Sequence, residues 1–199
     1  MLKVYLYAGK VPDAGALRRS ADVGGAVRRA ESLAWRQLLA CAVRDCGLEA
    51  DLSRLTVSET GRPFCPGAEF DFSPTHTKGL VAVAVCDSGR VGLDAEALCG
   101  RDAGRLLRVT DRWFTGREQA RVRAALDAGD GSAEETFLRV WTAKEALVKR
   151  NGSGLAGMHA ADSCAPGDCL LQTQRRDGWI LTVAAPEPLT DLIECDPMV

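Results

Sequence analysis

The amino-acid sequence predicts an α+β protein, and three features predict it. Two long stretches, from about Ala26 to Cys46 and from Ser132 to about Arg150, carry apolar residues at helical spacing. Short apolar runs bounded by turn residues, Leu80 to Cys86 being the clearest, read as strands. Arg176-Asp177-Gly178 joins two strand-like runs and signals a hairpin, with D-G in its turn. At 199 residues the chain can form one domain or two small lobes sharing a core. A hydrophobic content of 46% and a charged content of 26% are those of a soluble globular protein. The net charge of −2 argues against a nucleic-acid binder, whose surface is strongly basic. No apolar run approaches the ~18 residues of a membrane span. The start, M-L-K-V-Y-L-Y-A-G-K, lacks the long apolar region of a signal peptide, so a cytoplasmic protein is expected.

Taken in order, the first ten residues read as a strand and Asp13 to Gly25 as a polar loop. The helix that follows has Val27, Ala30, Leu33, Ala34, Leu38 and Val43 on one face, with Arg18, Arg19, Arg28, Arg29 and Arg36 off it. Those arginines form either a solvated face or an anion site near the helix start. Leu55 to Ser58 reads as a strand, running into the turn Thr60-Gly61-Arg62-Pro63-Phe64. Phe70 to Phe72 is a short apolar stretch, followed by the polar knot Thr75-His76-Thr77-Lys78-Gly79 before the buried strand at 80–86. Two readings of the knot stand open: an anion site built from hydroxyls, imidazole and ammonium, or a hairpin turn facing water. Eight cysteines show no C-x-x-C and no histidine at zinc-ligand spacing. They read as reduced small hydrophobes, the alternative being a redox or metal role for Cys164 and Cys169, which flank a Pro/Gly turn.

Arg90 to Glu96 reads as a strand, in which Asp94 and Glu96 project to the same face beside a glycine. Like charges at that spacing repel unless neutralised. They mark either a solvated strand end or a site for a hard divalent cation such as Mg²⁺. Arg101, Arg105, Arg108 and Arg112 recur on one helical face, either a solvated face or a basic stripe suited to an acidic partner. Thr115 with Glu118, and Ser132 with Glu135, are capping-box pairs that start helices running to about Ala128 and Arg150. On the second of these, Trp141, Glu145 and Lys149 lie at i, i+4 and i+8, which reads either as three side chains pointing into one region or as a Glu→Lys pair on a solvated surface. Asn151-Gly152-Ser153-Gly154 stops that helix. The last strands fall near Leu170 to Gln174 and Trp179 to Ala184, and the tail from Pro186 is expected to be peripheral.

The segments G-L-D-A-E at 92–96 and W-T-A-K-E-A-L-V-K at 141–149 together resemble the paired signatures of 4′-phosphopantetheinyl transferases. The larger, single-chain type that activates surfactin synthetase and similar peptide and polyketide synthetases is the match. G-R-P-F at 61–64 and F-S-P-T-H-T-K-G at 72–79 resemble two further elements of that family, in the same order. The resemblance implies two similar α/β lobes with pseudo-two-fold symmetry, each a small antiparallel sheet packed on a long helix. The lobes would be 1–89, on the side of the coenzyme A 3′-phosphate and adenine, and 90–199, with the metal site and catalytic helix. The implied activity moves 4′-phosphopantetheine from coenzyme A to a serine of an acyl or peptidyl carrier protein, with Mg²⁺, releasing adenosine 3′,5′-bisphosphate. Asp94, Glu96 and Glu145 are implied as metal ligands, and Glu145 also as the base for the serine hydroxyl. Lys149 is implied to offset charge on the leaving phosphate, making Glu145, Lys149 and Asp94 the catalytic set. Arg62, Thr75, His76, Lys144 and Lys149 are implied to contact coenzyme A. Trp141 would pack behind the site, and Ser32 matches a hydroxyl position of the first helix. The arginines at 101, 105, 108 and 112 would dock the carrier protein, and a monomer is expected. Ala95, Thr75 and Ser73-Pro74 depart from the family pattern, the proline at the loop that aims His76. Two other functions compete: another Mg²⁺-dependent nucleotide transferase, or a non-catalytic module that binds carrier proteins. The first lacks a G-x-x-x-x-G-K-[ST] loop in this sequence, and the second would not need three carboxylates.

Overall fold

The computed structural model describes residues 1–7 and 23–195, which form four α-helices and nine strands in three small sheets. In chain order these are β1 (Leu2–Tyr7), α1 (Val23–Asp45), β2 (Thr56–Val57), β3 (Pro63–Phe64), β4 (Asp71–Thr77), β5 (Leu80–Cys86) and β6 (Gly92–Ala97). Then come α2 (Ala103–Trp113), α3 (Gly116–Ala128), α4 (Ala133–Asn151), β7 (Leu170–Arg176), β8 (Trp179–Ala185) and β9 (Asp191–Glu194). Arg18, Arg19 and most of the expected loop at 13–25 lie outside the described residues, as do the side chains of Arg28 and Arg29.

All seven residues of β5 are buried, so both faces of its sheet must be covered. Alternation sorts them. Leu80, Ala82, Ala84 and Cys86 join Leu2 and Val4 of β1 in one cluster, while Val81, Val83 and Val85 join Tyr5 and α1 residues Leu38, Leu39 and Ala42 in another. The first cluster also holds Leu93 and Ala95 of β6 and Leu181 and Val183 of β8, so the β4-β5-β1-β9 and β6-β8-β7 sheets pack face to face. The outer face of the second sheet is covered by α4, where Ile180 and Ala184 meet Leu138, Ala146 and Leu147. The layers therefore run α1, sheet, sheet, α4. Each fully buried Val or Leu in them contributes about 1.5–3 kcal/mol relative to exposure.

Strand β6 is an edge of its sheet, and its outward N–H groups need acceptors. Polar side chains on one face of β4 supply them. Asp71 Oδ2 accepts from Val91 N at 2.8 Å, Ser73 Oγ from Leu93 N at 3.0 Å, and Thr77 Oγ1 from Ala97 N at 3.3 Å. A ladder of side chains at every second residue thus holds the two sheets in register. Arg62 locks its lower end: the guanidinium donates to Asp71 Oδ2 at 2.6 Å, Val91 O at 2.9 Å, Phe72 O at 3.3 Å and the carbonyl of Lys149.

The expected hairpin at 176–179 is present, with Arg176 paired to Trp179 and both Asp177 (φ 42°) and Gly178 (φ 91°) in the left-handed region. Helices α1, α3 and α4 lie within a few residues of their expected bounds. Four expectations need correction. The tail beyond Pro186 is not peripheral: β9 adds to β1 in parallel as the fourth strand of the first sheet. The polar knot is not a loop, because Thr75, His76 and Thr77 belong to β4 and only Lys78-Gly79 turns the chain. The capping box on α4 is not formed: Ser132 has helical backbone angles and makes no side-chain cap, and the Glu135 carboxylate goes to Arg139 and Arg175. Arg101 lies before α2, whose N-cap is Asp102, so it does not share the helical face of Arg105, Arg108 and Arg112. Among the described residues no helix is long and apolar enough to cross a membrane.

Candidate active site

Gly92 sets the site. Its Cα lies so close to α4 that a Cβ there would stand 2.6 Å from Arg150 N and 2.9 Å from the carbonyl carbon of Ala146. Only glycine permits this approach. With β6 against α4, period-two alternation sends Leu93 and Ala95 into the inter-sheet core and turns Asp94 and Glu96 toward the helix. On α4, Glu145 and Lys149 are one turn apart and face the same way. Lys149 Nζ donates to Asp94 Oδ1 at 2.7 Å, to Leu93 O at 3.0 Å and to Thr75 Oγ1 at 3.3 Å. Thr75 donates to that same Asp94 oxygen at 3.3 Å. One residue each from β4, β6 and α4 therefore meet at a single carboxylate, itself 7% exposed.

These groups form part of the wall of a cavity of about 610 Å³, between Ser32, Trp35 and Arg36 of α1 and Glu145, Val148 and Lys149 of α4. That volume is in the range of sites for cofactor-sized ligands, about 300–1,000 Å³. Asp94, Glu96, Glu145, Lys149, Thr75, His76, Arg62 and Ser32 all line it. His76, half exposed at the cavity, points Nε2 at Glu31 Oε2, 3.3 Å away. Burial, and secondarily the charge of Asp94, push the carboxyl groups of both Glu96 and Glu145 above the usual glutamate range. Arg101 offsets part of this at Glu96, donating to Oε2 at 2.8 Å.

The three acidic side chains share one wall, but among the described residues no three such groups close into a ready metal cage. Lys149 stands on Asp94 and Arg101 on Glu96. The donor chemistry nevertheless fits a divalent cation. Asp94 Oδ2 is buried with no partner, and two neighbouring carboxyls are held up by burial and mutual repulsion that a cation would relieve.

Two sequence assignments move away from the cavity. Lys144 does not line it. The side chain is fully buried on another side of α4, where Nζ donates to Glu118 Oε2 at 3.0 Å and to the carbonyl of Ala161. Glu118 also accepts from Thr115 N at 2.8 Å and Ser163 N at 2.7 Å, so the pair ties α3 and the 161–163 segment to α4. Trp141 likewise leaves the line of Glu145 and Lys149, stacking on Phe137 at 6.1 Å with Phe114 beside them. Arg62 does border the cavity, but its guanidinium is spent on the four acceptors named above. Sequence reading missed Trp35 and named Arg36 only among the arginines of a possible anion site; its guanidinium lies 5.1 Å from the Trp35 ring at the cavity edge. Position puts Arg36 at the site, since it follows Ser32 by one helical turn.

Residues 90–180 match the family model described as the 4′-phosphopantetheinyl transferase superfamily. The chain is 34% identical over 186 residues to the 4′-phosphopantetheinyl transferase AcpT of Salmonella typhimurium, covering 93% of this chain and 89% of that one. It is 29% identical over 175 residues to AcpT of Escherichia coli K12, covering 87% and 83% of the two chains. Over 116 residues it is 28% identical to the 4′-phosphopantetheinyl transferase HetI of a Nostoc species, covering 58% and 47%. The motifs that form this cavity wall and the likeness along nearly the whole chain agree: the protein belongs to the 4′-phosphopantetheinyl transferase superfamily and is an enzyme of that class.

Proposed function

We propose that the enzyme transfers 4′-phosphopantetheine from coenzyme A to a serine hydroxyl of an acyl or peptidyl carrier protein in the cytoplasm, releasing adenosine 3′,5′-bisphosphate. The observation that carries this reading is the meeting of Lys149, Asp94 and Thr75 beside Glu145 on one cavity wall. A serine hydroxyl is a weak nucleophile and needs a base. Glu145 suits that role because burial, and after it the charge of Asp94, raise its proton affinity above that of an ordinary glutamate. Lys149 offers an ammonium where charge gathers on the departing phosphate. Thr75 and Leu93 O hold that ammonium in place, so its position is fixed before substrate arrives. Asp94, Glu96 and Glu145 would hold Mg²⁺, which when bound supplies positive charge to the pyrophosphate. His76 and Ser32 line the coenzyme side of the cavity, and Arg62 shapes its rim through backbone contacts.

We further propose two lobes, 1–89 and 90–199, related by pseudo-two-fold symmetry about the cavity, with β9 crossing back to the first sheet. The pairing of one sheet with one long helix on each side supports this. Carrier-protein docking falls to Arg105, Arg108 and Arg112, exposed on α2, and the working unit is a monomer. The test is mass spectrometry of an apo carrier protein incubated with enzyme, coenzyme A and Mg²⁺. A gain of one phosphopantetheine on serine is expected, and its loss in Asp94→Ala and Glu145→Ala variants that remain folded. A fully active double variant would rule out the assignment of the acidic wall.

A further inference from the structure

Each strand carboxylate of the cavity wall has one oxygen tied to a protein cation and one left over. At Asp94, Oδ1 takes Lys149 at 2.7 Å and Oδ2 is buried without a partner. At Glu96, Oε2 takes Arg101 at 2.8 Å, and among the described residues nothing bonds Oε1. Arg101 is held firmly to this task. Its other terminal nitrogen donates to Glu134 Oε1 at 2.9 Å and to Ala97 O at 2.7 Å. Glu134 is fixed in turn by the backbone N–H groups of Cys99, Gly100 and Arg101, at 3.2, 3.0 and 3.1 Å. With side chains 14% and 15% exposed, Arg101 and Glu134 are poorly screened.

A carboxylate oxygen that already accepts from a guanidinium is the weaker donor to a cation and is sterically screened on one side, so such a carboxylate offers chiefly its other oxygen. Mg²⁺ takes oxygens singly in a strict octahedron, whereas Ca²⁺ gathers about 6–8 and favours carboxylates that bind with both oxygens. We propose that Arg101 sets the metal selectivity of this site, holding Glu96 to one-oxygen ligation and so favouring Mg²⁺ over Ca²⁺. The proposal rests on the reading of Asp94, Glu96 and Glu145 as a cation site. Arg101 acts through Glu96 and is a positioning residue, withdrawn from the docking stripe to which its spacing had assigned it.

The test is calorimetric titration of Mg²⁺ and, separately, Ca²⁺ into the full chain saturated with coenzyme A, corrected for binding to the coenzyme alone. Wild type, Arg101→Gln and Arg101→Lys are compared. Arg101→Gln is expected to tighten Ca²⁺ relative to Mg²⁺ by about 10- to 100-fold, the span seen when partners of metal ligands are changed. Arg101→Lys, which keeps a point charge without the two-armed bracket, should fall between. Equal tightening of both ions is what loss of a positive charge alone would produce, and it overturns the proposal, as does an unchanged ratio. If Arg101→Gln does not fold, the ratio in Arg101→Lys decides by the same criterion. A wild-type chain that binds neither ion sinks the cation reading and this proposal with it, whereas one that binds Mg²⁺ with a ratio indifferent to Arg101 sinks this proposal alone.

Discussion

Replacing Gly92 by alanine adds a single methyl at the tightest joint of the enzyme. Its Cβ would stand 2.6 Å from Arg150 N and closer still to the Ala146 carbonyl oxygen, where ordinary contact begins near 3.4 Å. Both obstacles are backbone, so no side chain can swing aside. Relief requires β6 and α4 to part by about 1 Å or more, against a well-packed core. Overpacking of this kind costs about 1–3 kcal/mol, and a backbone clash belongs at the top of that range. For a chain of this size about 3 kcal/mol lowers Tm by roughly 6–12 °C. The same movement stretches the 2.7 Å Lys149–Asp94 contact. A displacement near 1 Å at reacting groups costs about 100-fold in rate. Scanning calorimetry and carrier-protein modification kinetics would therefore report both losses in Gly92→Ala. Gly116→Ala is the control, since a Cβ there meets nothing within 4 Å and α3 gains a better helix former. Near-native Tm and kcat/KM in Gly92→Ala would refute the view that this close approach positions the site.

Two further perturbations follow from the same geometry. Lys144→Met strands the fully buried Glu118 carboxylate and should cost about 3–5 kcal/mol in urea denaturation; a cost under about 1 kcal/mol would mean the pair is not buried in solution. Glu145 has its proton affinity raised in the folded state, so ionising it opposes folding, and that penalty grows as pH rises from the ordinary glutamate value through the raised one. Glu145→Gln removes the penalty, so its Tm relative to wild type should climb across that window in metal-free buffer and then level off. A difference that stays flat or falls would show that the buried carboxyl carries no such strain.

Strand and helix positions were legible because they rest on local signals: period-two and period-3.6 patterning and the D-G turn at 177–178. Spacing made two parts of the acidic wall legible, Asp94 with Glu96 on β6 and Glu145 with Lys149 on α4, while only the family resemblance joined the two parts. What the sequence hid depended on partners distant along the chain. Lys144 and Glu145 are adjacent in sequence, yet the 100° step of a helix sends one into the core and the other to the cavity. Nothing local in the arginine series 101–112 shows that its first member would be claimed by Glu96 and Glu134. Polar β4 looked like a binding loop because its hydroxyls were counted without the strand edge they serve.

The return of β9 to β1 has a consequence for synthesis. The first sheet can pair β4, β5 and β1 early, but β1 keeps an unpaired border until residues 191–194 have been made. A nascent chain therefore carries an open strand edge through most of its translation, and shortening it from the far end would reopen that edge in the finished enzyme. Aggregation of such a truncated chain, with the cavity residues all still in the sequence, would trace to a border more than a hundred positions away from the cut in sequence and directly beside it in space.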